Sequence, residues 1–176
     1  MTIRTAVARV DRFVQAQDDP EAGWEVALGE LRAGRKRSHW IWYVFPQLAG
    51  LGMSATSRRF GIAGRDEASE YLSHPVLRSR LLSGISTVAD QLQRGTSLAT
   101  LMGSRIDALK LMSSVTLFAS VTRTMTAAAD DEDLSRLADV AEKVLLLAES
   151  QGFARCRYTL QHMREQPPPA AGRGED

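Results

Sequence analysis

The sequence predicts an all-α fold, on three observations. Apolar side chains recur every three or four residues through most of the chain, the period of a helix with one buried face. No segment alternates apolar and polar residues for long, as a half-buried strand would. Helix punctuation, with Ser, Asp or Pro before an apolar stripe and Gly after it, recurs at helix-length intervals.

Residues 5–17 carry Val7, Val10, Phe13, Val14 and Gln17 at helical spacing. Asp18-Asp19-Pro20 ends that helix. Asp19 is expected to cap the next one, with Pro20 at its first position, where a missing N–H costs nothing. Trp24, Ala27, Leu28 and Leu31 form the second stripe, and Gly34 suits a left-handed C′ residue. The run His39–Leu48 is apolar almost throughout, so periodicity cannot classify it. Pro46 drives Phe45 toward extended geometry, so a short helix over 38–44 and an irregular exit to Gly52 are expected. A short helix follows between a Ser54 cap and a Gly61 stop, then another capped by Asp66 and broken at Ser73-His74-Pro75. His74 reads as a cap or turn residue. From Pro75, the positions Leu77, Leu81, Ile85, Val88, Ala89 and Leu92 make a long helix stopped by Gly95. A one-to-two-turn helix within 96–103, a helix over 105–126, an acidic-start helix ending at Gly152 and a final helix within 153–166 complete the chain. The expected whole is one helical domain over 5–166, of about six to eight helices around an irregular aromatic segment. The Pro/Gly-rich tail 167–176 is too polar to pack and is expected to be disordered.

With 44% apolar and 24% charged residues, the 176-residue chain has an ordinary globular composition. A net charge of +1 argues against stable nucleic-acid binding by bulk charge. No run approaches the ~20 apolar residues of a membrane span. The start of the chain lacks a signal-peptide core, and the single cysteine, Cys156, allows no internal disulfide. A cytoplasmic protein is expected. The three histidines lie far apart and no Cys/His spacing suits zinc, so neither metal nor cofactor is expected. Phosphate-binding loops, dinucleotide glycine patterns, nucleophile elbows and HExxH are absent.

Charge is nonetheless uneven. Between Glu30 and Asp66 there is no acid, while Arg32, Arg35, Lys36, Arg37, Arg58, Arg59 and Arg65 are all basic. Lys36 and Arg37, followed by Ser38, could hold an anion at a helix start; they could equally face water. His39 is a candidate acid/base near neutral pH, or a histidine bonded to backbone. Among the rings, Trp40 is the expected ligand-stacking side chain because it adjoins the basic turn, although Trp40, Trp42, Tyr43 and Phe45 would also make a plain core. Gln47 needs polar partners in its apolar context, from a ligand or from a loop. Lys110, Ser113 and Ser114 share one helix face at i, i+3 and i+4. They suggest either an anion-binding face with an activated hydroxyl, or a Lys110–Asp107 pair beside a small packing serine. Cys156 lies between Arg155 and Arg157, which would favour its thiolate if they approached it.

The segments Asp11–Gln17, Ala27–Leu48, Gly50-Leu51-Gly52, Phe60-Gly61-Ile62, Tyr71-Leu72, His74–Leu77 and Asp107–Phe118 resemble the bacterial domain-of-unknown-function family 1810, whose members are often mislabelled calpastatin. The Lys-x-Ser-His-Trp-x-Trp and Phe-Pro-Gln elements are its most specific parts. The resemblance spans about 8–122 and implies a compact all-helical fold with no established reaction. After Phe118 this chain departs from the family. An added acidic helix, about 131–151, intervenes, and only Arg155–Leu160 echoes the family's ending.

Two functions remain open. One is a small hydrolase or group-transfer enzyme for an anionic, ring-bearing, nucleotide-like molecule: His39, Ser113 and Ser114 as catalytic groups, Lys36, Arg37, Trp40, Gln47 and Lys110 as binding groups. The other is a non-enzymatic helical module for an anionic ligand or a protein partner, with oligomerisation open. Convergence of His39, Lys36, Lys110 and Ser114 in a closed pocket would favour the enzyme; their dispersal would favour the module.

Overall fold

The computed structural model describes residues 3–128 and 130–166, with side chains from residue 9 onward. The tail 167–176 lies outside the described residues. Among the described residues there are ten helices: α1 (Ile3–Gln17), α2 (Trp24–Arg32), α3 (Ile41–Val44), α4 (Ala55–Arg59), α5 (Arg65–Ser73), α6 (Pro75–Gln93), α7 (Leu98–Leu101), α8 (Arg105–Thr126), α9 (Glu132–Glu149) and α10 (Arg157–Glu165). No strand occurs among the described residues; Leu48 and Ile62 form an isolated parallel bridge.

α8 is the axis of the molecule. Every residue from Leu111 to Ala119 is buried, because α3, α5, α7, α9 and α10 all pack on it. α6 receives α2 on one side and α9 on another. From α1 through α5 to α8 runs a chain of rings: Phe13 meets Tyr71 edge-on at 5.2 Å, and Tyr71 meets Phe118 at 5.1 Å. Offset and edge-on contacts of this kind suit the ring quadrupoles. The Tyr71 hydroxyl is sealed inside but accepts from Gln17 Nε2 at 3.1 Å; burial drives its pKa well above the ordinary tyrosine value. The aromatic stretch is central, as expected: Trp40, Ile41, Val44, Phe45 and Leu48 are all buried.

Caps at Ser54 and His74 and left-handed glycines at 34, 95, 103 and 152 fall where punctuation predicts them, and Ser97 is the cap of the short helix expected within 96–103. Some boundaries differ. Asp19 caps a tight turn rather than α2: its Oδ1 accepts from the N–H groups of Glu21 and Ala22, at 2.8 and 2.9 Å. α2 starts only after Gly23, where a Cβ would collide with the carbonyls of Asp19 and Gln17. Asp66 lies inside the first turn of α5 and does not cap it. The Arg65 N–H is taken by Gln166 Oε1 at 3.0 Å, from 101 residues away. α3 begins at Ile41 rather than at 38, for the reason given below. α4 stops before Gly61 as expected, and the next residue, Ile62, donates to the Gln47 carbonyl at 2.9 Å.

The last helix, α10, is fastened to the middle of the chain. Arg65 donates to the carbonyls of Gln166 and Met163, both at 2.7 Å, and to Thr124 Oγ1 at 3.0 Å. Among the described residues no helix is long and apolar enough to cross a membrane.

Candidate functional site

The basic turn after α2 is organised by an acid. Glu30 Oε2 accepts from the N–H groups of Arg37 and Ser38, at 2.7 and 3.0 Å, and from Trp40 Nε1 at 2.8 Å; its Oε1 accepts from the Ser38 hydroxyl. Burial raises the Glu30 pKa, but these donors outweigh it and hold the carboxyl below its ordinary value. Because this carboxylate spends the donors of residues 37–40, the chain there forms a turn, and α3 starts late.

A second acid gathers the lysines. Lys36 Nζ lies 2.7 Å from Asp107 Oδ2, and Lys110 Nζ 2.9 Å from Oδ1 of the same carboxylate. Burial raises the Asp107 pKa, and hydrogen bonds from Lys36 and Lys110 more than reverse it. Lys36 also donates through Nζ to the Ser38 carbonyl at 2.6 Å and through its backbone N–H to Leu101 at 2.7 Å. The expected meeting of Lys36 and Lys110 therefore occurs, with an acid between them. Lys36 is 7% exposed and fully engaged, so it holds the turn to α8 and offers nothing to a guest.

Beside Lys110 opens a cleft of about 470 Å³, between the 47–57 segment and the first turns of α8. Its walls are Trp42, Leu51, Met53, Ile106 and Leu109, with Gln47, Ser54, Ser57, Lys110 and Ser113 as polar groups. Lys110 Nζ stands 4.4 Å from the centroid of the Trp42 ring, an indole–ammonium contact. The buried, unpartnered side-chain atoms among the described residues are Arg9 Nε, Glu70 Oε2, Ser114 Oγ and Thr159 Oγ1. Neither the Gln47 amide nor Trp42 Nε1 is among them, and neither has a hydrogen-bond partner among the described residues; both reach solvent. The cleft thus presents the Lys110 ammonium, with donors beyond the one given to Asp107, an amide able to donate and accept, and the hydroxyls of Ser54 and Ser57.

The other expected site residues fall differently. Trp40 is 0% exposed and cannot stack a ligand; the ring on the cleft is Trp42, two positions along, which the expectation based on proximity to the basic turn passed over. His39 is exposed and does not line the cleft, nor does Arg37. Ser113 lines it, but its hydroxyl donates to the Leu109 carbonyl at 3.0 Å. Ser114 is sealed at 0% exposure. The signal that could have found Trp42 is its position in the stretch: it is a half-buried ring in a run whose neighbours Ile41 and Val44 face the core. No group of three or more His, Cys, Asp or Glu among the described residues is placed to hold a metal ion.

These features describe an all-helical protein with a turn held by Glu30 and a cleft against α8. The chain belongs to the family described as "Protein of unknown function (DUF1810)", which it matches over residues 7–140. The match runs past residue 122 into α9, so the family-like region includes the start of the acidic helix. Among solved structures it is similar to the conserved hypothetical protein Rv1873 from Mycobacterium tuberculosis, at 35% identity and a TM-score of 0.64, over 86% of this chain and 94% of that one. No curated protein matches.

Proposed function

We propose that this protein is a binding module whose cleft takes an anionic ligand bearing a ring or another apolar group. The observation that carries the reading is the Lys110 ammonium on the Trp42 face, in one cleft with the Gln47 amide. Lys110 would meet the negative group, the apolar wall the ring, and Gln47 a carbonyl or N–H. The rival reading, a hydrolase or group-transfer enzyme for a nucleotide-like substrate, needs a base beside its nucleophile. His39 stands outside the cleft, and the Ser113 hydroxyl is committed to a backbone carbonyl.

The test is a thermal-shift titration with nucleoside monophosphates and aromatic carboxylates, since a ligand of the native state raises the melting point. A rise lost in Trp42→Ala and in Lys110→Met, but kept in His39→Ala, is expected. A rise indifferent to both cleft substitutions would place the ligand elsewhere. Turnover abolished by His39→Ala would restore the enzyme.

A further inference from the structure

A second opening, of about 390 Å³, adjoins the first across Leu109 and Ser113, which line both. Its far wall carries Arg105, Phe153, Arg155 and Arg157. The two openings form one groove over the N-terminal half of α8.

The groove is one-sided in charge. Among the described residues, four cations line it and no Asp or Glu does. Arg155 is committed: it donates to Glu142 at 3.0 and 2.5 Å and to Glu149 at 2.9 Å. Lys110 spends one donor on Asp107 at 2.9 Å and keeps the others for a guest. Arg105 and Arg157 make no ion pair among the described residues, and both are exposed. Arg105 lies 4.9 Å over the Phe153 ring, which fixes one cation at the groove's edge. The opposite end is apolar and unusually open: Met53 is 87%, Ile106 69% and Leu109 46% exposed. Large apolar side chains clustered at a concave, charged site are what a partner covers.

We infer that this groove docks an acidic peptide segment, with one large apolar side chain in the Trp42–Met53–Ile106 end and carboxylates running toward Lys110, Arg105 and Arg157. The inference rests on the binding reading above and names its partner. Charge complementarity selects an acidic occupant. A peptide bond supplies both the carbonyl and the N–H that Gln47 can answer. Nucleic acid fits less well. The near-neutral chain gives no long-range grip on a phosphate backbone, and Lys110 already covers one face of the ring on which a base would stack.

The experiment is fluorescence polarisation of the full chain with a labelled peptide of one Leu or Phe followed by four Glu. Its partners are the Gln version of that peptide and a labelled single-stranded oligonucleotide of equal charge. Binding of the Glu peptide alone is expected. It should weaken about tenfold or more in the Arg105→Ala/Arg157→Ala double variant, and further with added salt. A Met53→Asp variant, at a side chain almost wholly in solvent, should weaken it independently. Equal binding of the Gln peptide, tighter binding of the oligonucleotide, or an affinity indifferent to the double variant would overturn the inference. Melting-point rises with small ring-bearing anions separate the two readings. If they persist while the peptide fails to bind, the peptide is wrong and the cleft stands; if they too are absent, the binding reading falls with it.

Discussion

Glu30 shows how one side chain can invert the meaning of a basic run. Read along the chain, residues 31–65 contain no acid and look poised for an anion. In space, Glu30 at one border takes up the backbone N–H groups of Arg37 and Ser38, the Ser38 hydroxyl and the Trp40 indole, and Asp107 from far away takes up the Lys36 ammonium. Spacing revealed the Lys110–Asp107 pair as an alternative, since i, i+3 partners face each other on a helix. The Lys36–Asp107 pair was invisible because nothing in the local pattern links them. Replacing Glu30 by Gln should cost about 2 kcal/mol near neutral pH, as charge-assisted bonds become neutral ones. The sign with pH follows from its lowered folded pKa. The stabilisation is fully present above the ordinary glutamate value of ~4.3 and is lost as pH falls through the lowered folded value. Denaturant melts of the wild type and Glu30→Gln should therefore converge below about pH 4; a gap of constant size down to low pH would assign the stabilisation to something other than the carboxylate.

At the scale of elements, punctuation was a good guide wherever a helix is closed by its own neighbours. Ser54, His74, Ser97 and Gly152 all act locally. It failed at Asp66, whose place was taken by Gln166 across the fold. Gly103 closes α7 and sets the start of α8. Its φ is +73°, and a Cβ there would stand 2.7 Å from the Lys36 carbonyl. Gly95 is left-handed too, with φ +92°, but meets nothing within 4 Å. Gly95→Ala should therefore cost only the left-handed penalty, about 1–2 kcal/mol. Gly103→Ala should cost clearly more, because the 36–38 turn must also shift. Equal losses in the two, measured by chemical denaturation, would mean that the turn gives way freely.

For the molecule as a whole, the helical class and the central place of the aromatic stretch were legible, because both follow from periodicity and apolar density. How the last helix is anchored was not, because it depends on Arg65 reaching Met163 and Gln166. Arg65→Met removes three hydrogen bonds and should cost about 2–3 kcal/mol, a fall in melting point of roughly 5–10 °C for a chain of this size. Amide exchange should rise first in 157–166, since α10 would detach as a unit while the α6–α8–α9 core stays closed. Uniform loss of protection across all helices would show that α10 is not a separable layer.

The indoles are divided in a useful way. Trp24 and Trp40 lie in the core, while Trp42 alone of the three meets solvent, beneath an ammonium. Tryptophan emission from this protein thus mixes two shielded chromophores with one whose surroundings any occupant of the groove must alter. The chain carries its own optical gauge of occupancy, placed at the contact on which its functional reading turns.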